Sequence, residues 1–297
     1  MNRYREVYAA LAVAAVGASA DFASGRELAA FYAQLAGASW LAVALSGLLF
    51  GLITAMLANM ARQSGAGDMY ELFRRMPGGR LGGFACVLYA GILLTAGWTL
   101  VSETARLGAL TLPLHRAPLF GAAFALLAAA WLALHTGSMK AVGAAFVGML
   151  LLFELALLLF ARLDKLPGML FVIKLKLGGS CLAALILALI HSAMCACLSA
   201  GVAVRMAGEG ARPKRLGMWS GAAFLALLLV GNAALRNQMD ELLALEVPFV
   251  ALASCWGSAG FWSSAIVMYL AAVTSLSGLI CGLLPRKWML NSKNSQK

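Results

Sequence analysis

Eight long apolar segments dominate the chain, at about residues 7–36, 38–61, 81–110, 118–135, 141–161, 178–206, 216–235 and 259–284. A helix needs about 20 consecutive apolar residues to cross the hydrocarbon core of a bilayer. Only 12% of the residues are charged, about half the share that a soluble domain carries. The sequence therefore predicts an all-α polytopic membrane protein, with one transmembrane domain in residues 1–297 and a cytoplasmic tail at 285–297.

The basic residues lie mainly in the loops between apolar segments. Two loops, at about 62–80 and 205–215, are rich in Arg and Lys, and such loops stay on the cytoplasmic side. The net charge of +11 thus indicates membrane topology rather than nucleic-acid binding, and no nucleic-acid partner is expected. Eight crossings of the cell membrane place both termini in the cytoplasm. The basic loop at 162–177 departs from this rule.

The first and sixth segments are longer than one crossing requires. Each has about 30 residues, which as continuous helix would span about 45 Å against a hydrocarbon core of about 30 Å. The excess is absorbed either by tilting or by a break within the helix. Inverted-repeat transporters carry broken helices in corresponding positions, so the pattern favours a first repeat at about 7–161 and an incomplete second repeat at about 178–284.

The first segment carries the stretch "GASADFASGRELAAF", which begins at Gly17. Ser and Asp compete for backbone hydrogen bonds and Gly adds chain entropy, so this stretch favours local unwinding. Asp21 would face the bundle interior, because a charged side chain in lipid is unfavourable. Arg26 and Glu27 either form an ion pair or gate near the outer mouth or mark the outer end of a shorter helix.

Adjacent hydroxyl groups occur in the eighth segment, at Thr274 and Ser275. Hydroxyls in membrane helices commonly bond the carbonyl of the preceding turn. Alternatively, they serve as hard oxygen ligands for a small cation such as Na⁺.

Three stretches resemble the YkvI-type family of membrane proteins. These are "FASGREL", "EVPFVALAS" and "MYLAAVTSLSGLICGL", and the resemblance runs in order over nearly the whole chain. It implies the LeuT-type fold of the amino acid/polyamine/cation and sodium-symporter superfamily, with broken first and sixth helices. That fold normally has ten helices, so the resemblance also implies that the last two are missing here.

The resemblance also implies where ligands would bind. A coupling cation would lie between the first and eighth helices, held by the carbonyls of Ala15, Ala18 and Ala271 and the hydroxyls of Thr274 and Ser275. The substrate would lie alongside, on the first, third and sixth helices. Its predicted contacts are Ser19, Asp21, Phe22, Ala23, Ser24, Gly97, Glu103, His191, Ser192 and Cys195.

Other polar residues within apolar segments have simpler explanations. Glu103 is spaced to pair with Arg106, Glu154 should meet a partner from another helix, and His191 is otherwise a hydrogen-bonded interior histidine. The six cysteines indicate small buried apolar side chains rather than a disulfide or zinc site. No cofactor is expected, and no metal beyond Na⁺.

The sequence thus predicts a secondary transporter and not an enzyme. It would move a small organic solute, with an amino acid as the first candidate, coupled to Na⁺ or H⁺ by alternating access. The alternative is a truncated, non-transporting membrane subunit or sensor on the same fold. Besides the lipid bilayer and the solute, the open partners are a second copy of the chain or another membrane subunit, with the Gly278–Gly282 face as one contact surface.

Overall fold

The structure is a computed structural model that describes residues 3–76, 80–111, 116–161, 180–236 and 247–285. Within these ranges every regular element is helical, which confirms the all-α polytopic membrane class. All but Pro285 of the predicted tail lies outside the described residues, as does the basic loop at 162–177. The α-helices are α1 (Arg3–Gly17), α2 (Ala20–Ala23), α3 (Arg26–Phe31), α4 (Ser39–Ser64), α5 (Met69–Arg74), α6 (Arg80–Thr111), α7 (Ala117–Leu134), α8 (Thr136–Phe160), α9 (Cys181–Gly208), α10 (Pro213–Arg236), α11 (Pro248–Ser254) and α12 (Ser258–Leu283).

Seven of the described helices are long and apolar enough to cross a membrane. They are α4, α6, α7, α8, α9, α10 and α12, and each coincides with one of the apolar segments after the first. The first segment is instead divided among α1, α2, α3 and a short 3₁₀ helix, Ala33–Ala38. The eight segments therefore correspond to seven continuous helices and one broken one.

The break in the first segment follows from its small polar residues. Helix α1 ends at Gly17, and the Ser19 hydroxyl then accepts a hydrogen bond from the backbone N–H of Phe22 at 3.3 Å, starting α2. Gly25 precedes α3 with φ +81°, a conformation that glycine adopts without a Cβ clash. The predicted break of the first helix is confirmed.

The predicted break of the sixth segment is wrong. Helix α9 runs without interruption from Cys181 to Gly208. Its first 20 residues contain no glycine, and Ser180 caps its first turn by accepting the N–H of Ala183 at 3.1 Å. The hydroxyl of Ser192 bonds the carbonyl of Ala188 one turn earlier, so the polar residues of α9 are accommodated within a regular helix. Its 28 residues reach about 42 Å and fit the bilayer by tilting.

Small residues let the helices approach closely around α1. Helix α1 packs against α8, α9, α10 and α12, and its alanines from Ala9 onward are almost completely buried. A Cβ on Gly278 would lie 2.2 Å from a methyl of Val16, and one on Gly201 would lie 2.4 Å from Gly282. The Gly278–Gly282 face is therefore filled inside this chain, and the suggestion that it meets another subunit is wrong.

Candidate functional site

The end of α1 lies against the middle of α12. Ser275 donates its hydroxyl to the carbonyl of Val16 at 3.2 Å, which joins the break to the eighth apolar segment. The Thr274 hydroxyl lies 3.0 Å from the carbonyl of Leu270 and 2.9 Å from that of Ala271. It thus bonds the preceding turn of its own helix, which was one of the two roles that the sequence allowed for this hydroxyl. The structure thus brings Ser275 to the break, whereas the hydroxyl of Thr274 bonds carbonyls of its own helix, that of Ala271 among them.

Besides the carbonyl of Val16, which accepts the Ser275 hydroxyl, two carbonyls at the break have no backbone donor in the described part of the chain. The N–H of Ala18 bonds Ala14, and the N–H of Ser19 bonds Gly17 at 3.1 Å instead of Ala15. The carbonyls of Ala15 and Ala18 are the two that result, and both residues are fully buried. Backbone oxygens freed in this way are the groups that coordinate cations in discontinuous membrane helices.

A buried polar cluster lies just beyond the break. Glu27 on α3 accepts the Ser19 hydroxyl at Oε2, 3.1 Å away, and its Oε1 lies 3.0 Å from Nε2 of His191 on α9. The side chains of Glu27 and His191 are 3% and 0% exposed. These two residues, the buried pair, connect the broken first segment to α9.

This position differs from the one expected for Glu27. The carboxylate does not pair with Arg26 at an outer mouth but points into the bundle, toward His191. Because successive residues of a helix point about 100° apart, Arg26 faces outward when Glu27 faces inward. The expected partner of Glu27 is therefore corrected from Arg26 to His191.

A chain of hydrogen bonds fixes the orientation of the His191 ring. Ser46 on α4 lies 3.1 Å from the carbonyl of Ala188, and a carbonyl only accepts, so Ser46 donates there. Tyr32, 2.7 Å from Ser46, must then donate to the Ser46 oxygen. Its own oxygen lies 2.5 Å from Nδ1 of His191.

The two ring nitrogens of His191 face different neighbours. With Nδ1 against the Tyr32 hydroxyl, Nε2 is the nitrogen that faces the Glu27 carboxylate, 3.0 Å from Oε1. The rings of Phe31 and Phe224 lie 4.9 and 5.8 Å from the imidazole centroid and exclude water.

Cys195 completes the cluster one turn after His191. Its Sγ lies 3.5 Å from Oε1 of Glu27 and 3.6 Å from Nε2 of His191, and the residue is fully buried. Of the predicted substrate contacts, Ser19, His191 and Cys195 thus meet at one place, whereas Ser192 turns to the backbone of its own helix. The i, i+4 spacing of His191 and Cys195 was the sequence signal for this face of α9.

Glu27, Tyr32 and Ser46 were not predicted as members of this cluster. Tyr32 and Ser46 lie 14 residues apart on different elements, and only the folded packing of α4 against α9 joins them to His191. No sequence spacing identifies contacts of that kind.

A second group of charges lines a cavity of about 200 Å³, which we call the vestibule. Nη1 of Arg26 lies 3.5 Å from Asp21 and 4.0 Å from Glu103, and Ser24 and Arg106 also line it. The Asp21 side chain is 43% exposed, so it faces the vestibule rather than the enclosed centre. Glu103, on α6, forms an ion pair with Arg26 on α3 at 4.0 Å.

The other predicted substrate contacts have mainly packing roles in the structure. Phe22 is buried with its ring 5.8 Å from that of Phe224, and Ala23 is buried beside it in α2. A Cβ on Gly97 would touch only Leu279 on α12, at 3.6 Å. Gly97 therefore lies apart from the buried cluster.

Glu154 on α8 is a further carboxyl in the bundle interior. It is fully buried, and neither of its oxygens has a hydrogen-bond partner among the described residues. It faces Gly231 on α10, where a Cβ would lie 2.8 Å from Oε1. The partner that the sequence predicted from another helix is therefore not found in the part of the chain that the structure describes.

The N-terminal end of α1 carries a separate charged contact. Glu6 pairs with Arg215 at 2.8 Å and with Arg212 at 3.9 Å, both at the start of α10. The hydrogen bond from Arg215 lowers the pKa of the Glu6 carboxyl, and burial opposes it. Nearby, Lys140 and Glu209 lie 2.6 Å apart and join α8 to the end of α9. Ion pairs thus tie helices together at the end of α1 remote from the break.

The described residues form a polytopic helical membrane protein with a discontinuous first helix and ionisable groups buried between its helices. Residues 12–166 match the spore permease family, described as spore germination protein. The match covers just over half of the 297 residues, and the chain belongs to this family. A search of curated proteins finds no match. The matched region contains the break, the charged residues of the vestibule and Glu27, whereas His191 and Ser275 lie beyond it.

Proposed function

We propose that this chain is a secondary transporter that moves a small organic solute, first of all an amino acid, coupled to H⁺ or Na⁺. The observation that carries the proposal is the break after Gly17, where an interrupted backbone meets buried ionisable groups at the centre of the bundle. Irregular backbone at membrane depth is tolerated where it lines a cavity or is buried in protein. Discontinuous helices in transporters are where substrates and coupling ions bind.

The solute would be recognised between the vestibule and the buried pair. Arg26, Asp21 and Glu103 offer both signs of charge at the vestibule, which suits a zwitterion with a carboxylate and an amine. Ser19 lies at the break and donates a hydrogen bond to Glu27. A solute that contacts Ser19 would therefore alter the hydrogen bonding of the buried pair. An amino acid carries both signs of charge and can engage both at once.

The coupling ion has two candidate positions. A proton would be carried by the buried pair, where Oε1 of Glu27 and Nε2 of His191 lie 3.0 Å apart. A sodium ion would lie against Ala15, Ala18, Ala271, Thr274 and Ser275, a position supported by the contact of Ser275 with the backbone at the break. Either ion shifts the conformational equilibrium only by its difference in affinity for the two states.

We further propose a LeuT-type arrangement, in which the first repeat is related to an incomplete second one, and a relationship to the YkvI-type proteins. The broken α1–α3 segment and its contact with α12 support this arrangement. The continuous α9 is a departure from it. The N-terminus and the Glu6 contact would lie on the cytoplasmic side of the cell membrane, in keeping with the basic residues Arg212 and Arg215.

Uptake into liposomes tests transport directly. Purified protein is reconstituted, and accumulation of labelled amino acids is followed under an imposed pH gradient, a Na⁺ gradient, or neither. We expect accumulation that one of the gradients drives and that Ser19→Ala removes, while the exposed Ser254→Ala leaves it intact. Absence of uptake from folded, monodisperse protein under every gradient would refute transport.

A solute-sensing membrane subunit is the second candidate, and it is supported by the family description, spore germination protein, which names germination rather than uptake. In this case the same site would bind solute without carrying it across. Solute-dependent stabilisation of the purified protein, with no uptake under any gradient, would identify this alternative.

A further inference from the structure

The structure assigns a binding site for a divalent transition-metal ion of the zinc class to Glu27, His191 and Cys195. This inference goes beyond the proposed function, because it requires metal binding in the resting protein and does not depend on transport. The three residues offer one carboxylate oxygen, one imidazole nitrogen and one sulfur, all within 4.8 Å of one another and all buried.

The separations between these three atoms fit one metal ion. A tetrahedral zinc with its usual bond lengths holds N and O ligands about 3.3 Å apart, and sulfur about 3.5 Å from either. The observed separations are 3.0 Å for Nε2 to Oε1, 3.5 Å for Sγ to Oε1 and 3.6 Å for Sγ to Nε2. The three atoms therefore form one face of a tetrahedron, and the fourth position is left for water or a solute carboxylate.

The hydrogen-bond chain presents the correct nitrogen to the metal. Nδ1 of His191 lies against the Tyr32 hydroxyl, so Nε2 is the nitrogen that faces Glu27 and Cys195. A metal-bound histidine typically donates its other N–H to an acceptor that fixes the ring, and Tyr32, held by Ser46, is placed to be that acceptor.

The donor set also selects the class of ion. A thiolate and an imidazole favour Zn²⁺, and Co²⁺ as its spectroscopic substitute, over Mg²⁺ or Ca²⁺, which take oxygen ligands. A cluster of three different ligand types is not explained by packing alone, because an apolar residue would fill the place of Cys195 equally well.

Titration of the purified full-length protein with Co²⁺ tests the site. We expect one Co²⁺ per chain with a sulfur-to-cobalt absorption band, displaced by Zn²⁺. Cys195→Ser should abolish the band, whereas Cys197→Ser on the same helix should keep it. Tyr32→Phe leaves all three ligands and should weaken affinity about 10- to 100-fold, as loss of a partner that orients a ligand does.

X-ray absorption on zinc-loaded wild-type protein keeps the inference testable if a variant does not fold. We expect one sulfur neighbour at about 2.3 Å and lighter neighbours at about 2.0 Å. A wild-type protein that gives no sulfur-to-cobalt band, or a band that persists in Cys195→Ser, overturns the assignment. Zinc-loaded protein with only oxygen and nitrogen neighbours overturns it as well.

Discussion

Oε1 of Glu27 and Nε2 of His191 lie 3.0 Å apart in the middle of the bundle, and solvent reaches almost none of either side chain. The contact links the segment after the broken helix to the continuous α9. Removing one partner of a buried pair leaves the other without compensation and lowers stability by about 3–5 kcal/mol. We therefore expect Glu27→Gln and His191→Gln each to lower the free energy of unfolding in detergent by about that amount.

The double variant distinguishes this pair from two independent losses. If the residues interact directly, Glu27→Gln combined with His191→Gln should destabilise by clearly less than the sum of the single effects. Chemical unfolding of the four proteins measures the difference. Additive effects would show that the two side chains are not coupled.

Ser275 should control any response to sodium. Its hydroxyl bonds the carbonyl of Val16 at the break, so Ser275→Ala should remove a Na⁺-specific rise in thermal stability measured against K⁺. An ion at 100 times its Kd adds about 2.7 kcal/mol. Ser277→Ala is the matched control, because that hydroxyl only bonds its own helix. A sodium response that both variants retain would place the ion elsewhere.

Glu154→Gln should be tolerated. Neither oxygen of Glu154 bonds another described residue, so the substitution breaks no ion pair or hydrogen bond among those residues. Its effect on the free energy of unfolding should stay within about 1 kcal/mol. A loss of stability as large as that from Glu27→Gln would reveal a partner for Glu154.

Gly278 should not accept even a methyl group. A Cβ there would lie 2.2 Å from Val16, so Gly278→Ala should destabilise by about 1–3 kcal/mol through overpacking. Gly83 on α6 has no atom within 4 Å of the corresponding position, and Gly83→Ala should be neutral or stabilising. Size-exclusion chromatography should show the same oligomeric state for both variants. If Gly278→Ala changed the oligomeric state without changing stability, the Gly278 face would be a subunit interface.

The contact at Glu6 gives stability a defined pH dependence. Arg215 lowers the pKa of the Glu6 carboxyl in the folded protein. The contribution of this ion pair to the free energy of unfolding is therefore complete above the unfolded-state pKa of about 4.5, and it is lost as the pH falls through the lower pKa of the folded state. Thermal unfolding should therefore show Glu6→Gln less stable than wild type at neutral pH, with the two curves converging in acid. The effect is modest, since Arg215 is 40% exposed and water screens the pair. A difference that persists at the lowest pH would show that packing, not charge, is responsible.

The sequence was sufficient for the elements that depend on local composition. Apolar length located the membrane helices, and Gly17, Ser19 and Gly25 located the break, because these residues weaken a helix wherever it packs. The same reasoning failed for the sixth segment. Its excess length was consistent with both a break and a tilt. Because the first 20 residues of α9 contain no glycine to weaken the helix, the segment forms one unbroken helix.

The buried cluster was only partly predictable. His191 and Cys195 share a helix face by their spacing, but which of Arg26 and Glu27 points inward depends on how α3 is rotated against α9. That rotation follows from packing between segments more than 150 residues apart, and so do the positions of Tyr32 and Ser46. Local periodicity carries no information about it.

Stabilisation by solutes is the most direct test of a binding site at the break. Apparent melting temperatures of the purified protein are measured with a panel of amino acids, in Na⁺ and in K⁺, at two pH values. We expect at least one amino acid to raise the melting temperature, an effect that Ser19→Ala loses and Ser254→Ala keeps. If no solute shifts the wild-type protein under any of these conditions, the break is not a solute-binding site.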